Sequence, residues 1–218
     1  MHVYDRIRTM QQLALSVGRG FVFHVGGVVR VDRAERFAEK LETLYHANAS
    51  RPEQLAQRRR GDARSRLFML PAPRNPGHLD WWLVASDGGG PIVKHERLAD
   101  ARDKGTRIHL QTFELVRMSR AGDGVAWTWR VRPDELAVIS EWAAAVARGS
   151  EAEQALRALE SWPGFHGIRA QRALIYQDMR RRNPSLAMPS VQPWPRMLPL
   201  AGHRTPLGAV VTTSLDTR

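Results

Sequence analysis

Phe21–Ala47 reads FVFHVGGVVRVDRAERFAEKLETLYHA, and the change of period inside this stretch decides the fold. Up to Val31 the residues are β-branched and aromatic, interrupted only by Gly26-Gly27, which predicts a strand bulged or bent at the glycines. Asp32 follows as a helix cap, with Glu35 three residues on in the spacing of a capping box. Ala34, Phe37, Ala38, Leu41, Leu44 and Tyr45 then recur at the 3.6-residue period of an amphipathic helix that runs to about residue 47.

Outward from this βα unit, residues 48–64 are polar and arginine-rich, end in Gly61-Asp62 and predict an exposed loop. Arg66–Leu70 is a short strand stopped by Pro71, and Pro71–Gly77 is a turn. Leu79–Ser86, with Trp81 and Trp82, is a further strand that ends in Asp87-Gly88-Gly89-Gly90-Pro91. A short helix is expected at about 94–103. Ile108–Ser119 and Val125–Arg132 then read as a hairpin around Ala121–Gly124. In its second strand Trp127, Trp129 and Val131 alternate with Thr128, Arg130 and Arg132, so the tryptophans take the core face and the arginines the exposed one. The order β-α-β-β-α-β, with one extra strand, is that of an α+β ferredoxin-like (split βαβ) domain, expected over residues 1–132. RNA-recognition domains and CRISPR-repeat endoribonucleases share this architecture, which serves many unrelated functions.

After Pro133 the periodicity is helical. Leu136, Ile139, Trp142, Ala143 and Val146 mark one helix, and Ala152, Ala155, Leu156, Leu159 and Trp162 a second, stopped by Pro163-Gly164. A third runs from about Phe165 to Arg182, with Ile168, Leu174, Ile175 and Met179 on its buried side. Together they predict a helical subdomain over 133–182. Prolines at 184, 189, 193, 195, 199 and 206 leave residues 183–218 as an irregular or disordered tail without helix or strand.

Charge points to the partner. Of the 33 basic residues only Lys40, Lys94 and Lys104 are lysine, so 30 are arginine, and against 22 acids the formal charge is +11. A GC-rich genome would explain arginine in place of lysine but not the excess over acids. A guanidinium grips phosphate through two parallel hydrogen bonds, and arginine clusters are the footprint of a polyanion binder. Arg58, Arg59, Arg60, Arg64 and Arg66 fall within nine residues. Arg169, Arg172, Tyr176 and Arg180 stand at i, i+3, i+7 and i+11, one helix face on which cations and a ring could follow a nucleic-acid backbone. Arg130 and Arg132 on the hairpin complete the candidate nucleic-acid-binding set.

Other chemistries find little support. With no cysteine, disulfides, thiolate metal sites and cysteine nucleophiles are excluded, and a reducing cytoplasm is the expected setting. No export signal or membrane span is expected. The eight histidines form no HxH, HxxxH or HExxH pattern, so neither a metal nor another cofactor is expected. Gly88-Gly89-Gly90 lacks the spacing of a nucleotide-binding loop. No GxSxG nucleophile motif occurs. The aromatic RNA-binding signature of RNA-recognition domains is absent, and Phe21-Val22-Phe23-His24-Val25 matches it only faintly.

Two stretches, Ala126-Trp127-Thr128-Trp129-Arg130 and Pro163-Gly164-Phe165-His166-Gly167-Ile168-Arg169-Ala170-Gln171, resemble proteins encoded on proteobacterial plasmids and integrative conjugative elements. The resemblance implies a mobile-element setting and no particular activity. In the second stretch a helix start with Arg169 in its first turn could seat an anion. The expectation is a cytoplasmic nucleic-acid-binding protein, RNA favoured over DNA, with the question of catalysis left open. The alternatives are a metal-independent endoribonuclease of the CRISPR-repeat-processing kind, with His24 or His166 as proton carrier beside an arginine, and a basic adaptor for an acidic protein partner.

Overall fold

The computed structural model describes residues 2–3, 5–120, 124–189 and 205–206 of a mixed α+β chain. Two compact units divide between Ile108 and His109. In the first, β1 (His2–Val3), α1 (Arg6–Gly18), β2 (Phe23–Arg30), α2 (Val31–Tyr45) and α3 (Arg51–Arg60) come before β3 (Ser65–Pro71), β4 (His78–Ala85), α4 (Pro91–His95) and β5 (Ala99–Asp100).

β3, β4, β2 and β5 form one sheet in that order, and every neighbouring pair is antiparallel. α2 covers one face. Its Ala34, Ala38, Leu41 and Tyr45 pack with Leu67 and Met69 of β3, Leu79, Leu83 and Ala85 of β4, and Ile92 of α4. Leu44, expected in this stripe, is 38% exposed. Asp32 does not cap α2: the N-cap is Arg30, whose guanidinium pairs with Asp32 at 2.8 Å. Side chains alternate along β3, so Arg66 points away from α2. Its guanidinium reaches the Ser16 hydroxyl at 3.1 Å, which places α1 on the opposite face of the sheet.

The short helix expected at 94–103 is instead α4 at Pro91–His95 followed by strand β5, and other elements differ as well. Residues 6–18, assigned no element from sequence, form α1. The Asp5 carboxylate caps this helix by accepting from the Arg8 N–H at 2.8 Å, and Met10, Leu13 and Val17 are its buried stripe. Residues 51–60, expected as loop, form α3. The Glu53 carboxylate accepts from the Ser50 N–H and hydroxyl, Pro52 stands in the first turn, and Gly61 closes the helix at φ 75°. Lastly, β2 has no bulge at Gly26-Gly27. Its register with β4 is continuous, from Phe23 opposite Ala85 to Arg30 opposite His78. The glycines are needed by the tryptophans across the strand gap. A Cβ on Gly26 would stand 2.8 Å from the Trp81 carbonyl oxygen, and one on Gly27 would stand 3.2 Å from the Trp81 indole.

The second unit holds β6 (His109–Leu110), β7 (Phe113–Arg120), β8 (Gly124–Val131), α5 (Pro133–Val146), α6 (Ala152–Glu160) and α7 (His166–Arg182). The hairpin expected to extend the first sheet makes its own three-stranded sheet, ordered β6-β7-β8, and its turn at 121–123 lies outside the described residues. Trp129 is fully buried, as its alternation required, while Trp127 is half-buried. Thr128 is not exposed: its hydroxyl accepts from the Gly167 N–H at 3.2 Å beneath α7. Ala143, Ala155, Leu156, Leu159, Ile175 and Met179 form the helical core. Leu174, expected with them, is 65% exposed.

α7 is docked on the edge strand β8 by two residues. A Cβ on Gly167 would stand 2.6 Å from the Trp129 carbonyl oxygen, so only glycine permits this approach. The Gln171 carboxamide bonds both the N–H and the carbonyl of Val131, at 2.8 and 2.9 Å, taking the place of a neighbouring strand. The two stretches that carry the mobile-element resemblance therefore meet in space. In the tail, residues 184–189 have neither helix nor strand, but β9 (Thr205–Pro206) pairs antiparallel with β1, where the prolines predicted no strand. Proline is tolerated in an edge strand, where its missing N–H interrupts no inner ladder.

Candidate functional site

The arginines at 58–66 do not lie on one loop. α3 and the start of β3 present them, and α1 adds Arg19. On α3, Arg51, Gln54, Leu55 and Arg58 stand at i, i+3, i+4 and i+7 and so share one face. Arg64, just before β3, and Arg66 within it point the same way. Arg19 follows the last turn of α1. These side chains line one groove of about 630 Å³ that contains five arginines and no acid.

The groove floor is organised by Phe21. This ring is buried, and the guanidinium carbons of Arg64 and Arg66 lie 4.9 and 4.7 Å from its centroid. Stacking on an aromatic face offsets the mutual repulsion of two cations and fixes their planes. Among the described residues no acid pairs with Arg19, Arg51, Arg58 or Arg64. Arg59 and Arg60 are exposed but do not line the groove, and Arg60 pairs with Asp62 at 2.8 Å.

A smaller cavity of about 290 Å³ adjoins the groove and shares Arg58 and Arg64 with it. Gly61, Asp62, Ser86, Asp87 and Gly88 line the rest. Gly88-Gly89-Gly90 serves here as a packing element. The Gly89 carbonyl accepts from the Ala63 N–H, the Gly89 N–H donates to the Gly61 carbonyl, and a Cβ on Gly88 would stand 2.6 Å from the Ala63 nitrogen.

The other candidate residues are not gathered in this way. Arg130 is held by the buried Glu114 opposite it on β7, with both Nε and NH2 at 2.7 Å from one carboxylate oxygen. Arg132 pairs with Glu135 at 2.9 Å. On α7 the expected basic stripe is taken up by packing. Arg169 is half-buried, and Arg172 donates to the Leu159 and Glu160 carbonyls at 3.3 and 3.4 Å, capping the end of α6. Tyr176 packs against the helical core, where burial lifts its hydroxyl above the usual tyrosine range. Arg180 alone of the four is exposed.

Among the described residues no histidine lines the groove. His24 donates from Nε2 to the Thr106 carbonyl at 2.7 Å, and His166 opens α7. Among the described residues no three His, Asp or Glu side chains are placed to hold a metal ion, and no helix is long and apolar enough to cross a membrane. Arg19, Arg51 and Phe21 were missed from the sequence. Arg19 and Phe21 join the site only through the packing of α1. Arg51 could have been found from its spacing to Arg58 once Ser50-x-x-Glu53 was taken as a helix start. No family model, curated protein or solved structure matches the chain, so the chemistry rests on its own residues.

Proposed function

We propose that this protein binds nucleic acid, RNA ahead of DNA, through phosphate contacts in the groove between α1, α3 and β3. The observation that carries this reading is the convergence of five arginines on one concave surface, four of them without an acidic partner among the described residues. Cations held close together repel each other, and the arrangement gains stability when an anion enters. Five arginines spread over a groove of about 630 Å³ suit a chain of phosphates better than a single small anion.

The fold reading supports the same conclusion by analogy. The order β3-β4-β2-β5, antiparallel throughout, supports reading this sheet as split βαβ, ferredoxin-like, with α1 as an addition. RNA-recognition domains of this kind stack bases on the face opposite their helices. Here Phe23 and Val25 turn toward α2, and the other face of β2 presents His24, Gly26 and Val28. On that face Phe68 of β3 and Trp82 of β4 stand opposite each other, but both are buried, so they offer bases no exposed platform and binding rests on phosphate. The mobile-element resemblance suggests a plasmid or integrative element as the setting, in the cytoplasm of its host.

The test is anisotropy of labelled single-stranded RNA, single-stranded DNA and duplex DNA over a salt series. About five phosphate contacts to a single strand give a slope of log K against log[salt] of roughly −3.5. A flat salt response, or no binding at low salt, would sink the proposal. Tight binding of an acidic polypeptide in place of every nucleic acid would favour the adaptor.

A further inference from the structure

Resting on that reading of the groove, we infer that the smaller cavity beside it receives a ribose 2′-hydroxyl of the bound strand and so selects RNA over DNA. Beyond the two arginines it shares with the groove, the cavity offers acceptors for a hydroxyl donor. Asp62 and Asp87 contribute carboxylates, which repel phosphate and accept hydrogen bonds. Each has one oxygen already engaged: Asp62 Oδ2 by the Arg60 guanidinium at 2.8 Å, and Asp87 Oδ1 by the Gly88 N–H at 3.0 Å. Among the described residues the second oxygen of each accepts nothing. The Ser86 hydroxyl adds no competing donor, because it already donates to the Asp87 carbonyl at 3.1 Å and accepts from the Arg64 N–H at 3.0 Å.

Position links this cavity to the backbone site. Arg58 and Arg64 line both cavities, so a phosphate bound to them has its own sugar next to the aspartates. At about 290 Å³ the cavity stands at the small end of ligand sites, which run from about 300 Å³, and this suits one sugar rather than a run of residues. The 2′-hydroxyl is the group by which a protein distinguishes RNA from DNA at a given site, and a carboxylate is a strong acceptor for it. Asp62 and Asp87 are thus specificity-determining residues, and the arginines supply affinity.

The test uses the full chain and three labelled single strands of one sequence: RNA, DNA, and RNA with every 2′-hydroxyl methylated, which keeps the ribose but removes the donor. RNA should bind about three- to tenfold tighter than the other two, the effect of one net hydrogen bond to the hydroxyl. Asp87→Ala should bring all three to one affinity with the salt slope unchanged, and the milder Asp62→Asn should narrow the gap. Electrostatics alone would make Asp87→Ala tighten all three equally and keep their ratio. If methylated RNA binds as RNA does, or if Asp87→Ala leaves the ratio intact, the inference is overturned while the groove stands. If none of the three binds at low salt, it is the groove that fails.

Discussion

Replacing Arg51 and Arg58 with alanine separates binding from folding more cleanly than any other change in the groove. Both lie on the exposed face of α3, whose only buried residue is Gln57. Alanine is the better helix former. Removing a cation from the first turn favours the helix dipole, and removing one from the last turn opposes it, each by about 0.3–1 kcal/mol, so the two nearly cancel. The double variant should therefore melt within a few degrees of the parent. Binding should change in a defined way. Five contacts to a single strand give a salt slope of about −3.5 and three give about −2.1, at 0.7 per phosphate. A tenfold rise in salt should then cost the parent about 3,000-fold in affinity and the variant about 130-fold. The readout is anisotropy of labelled single-stranded RNA across that range. Arg172→Ala, in the other unit, is the control: it removes the cap from α6, so it should lower stability and leave the slope alone. An unchanged slope in the double variant, or a reduced one in Arg172→Ala, would refute the placement of the interface.

Three further predictions concern the scaffold. Gly26→Ala should cost about 1–3 kcal/mol in urea unfolding, because its Cβ meets a backbone oxygen that cannot move aside, whereas Gly105→Ala, with open space around it, should be silent; equal stabilities would contradict the packing of β2 on β4. Trp129→Ala should cost about 3–5 kcal/mol, since the side chain is wholly buried, and a variant of parental stability would place this ring outside the core. The Tyr45 hydroxyl donates to Glu96 at 2.6 Å, and burial together with this bond pushes its pKa up to about 12 from 10.0. The folded state holds the proton more tightly than the unfolded one, so this contribution is complete below pH 10 and is lost as pH rises toward 12. Tyr45→Phe should remove that alkaline component and cost about 1 kcal/mol at neutral pH; an unaltered alkaline profile would show that the bond is not formed in solution.

Which features could be read from the sequence follows the kind of signal each residue gives. The α2 stripe and the alternation in β8 were legible because burial imposes a period on Ala34, Ala38 and Leu41, and on Trp127, Trp129 and Val131. α3 was not, because a helix that buries one glutamine has no apolar period, and its evidence lay only in the end signals of Ser50, Glu53 and Gly61. α1 did carry a period, Met10, Leu13 and Val17 at i, i+3 and i+7, but arginine, threonine and glutamine around them masked it. The glycines of β2 suggested a local bend, yet their reason is tertiary, two tryptophans on the neighbouring strand. The cluster at 58–66 announced a cationic surface, but which arginines face one groove depends on where α1 and α3 pack. The stripe at 169–180 is the opposite case: a correct helical spacing that tertiary contacts then use for capping and packing.

α3 has a consequence for how this surface can change over generations. A core helix is constrained on its inner face, and each substitution there is felt by its neighbours. α3 is fixed by its two ends and by Gln57, so most of its residues answer to no packing partner. Charge can be added to or removed from positions 51, 55, 58 and 59 without a matching change elsewhere in the unit. Affinity for an anionic partner is then an adjustable property, able to drift or be selected independently of the fold that carries it.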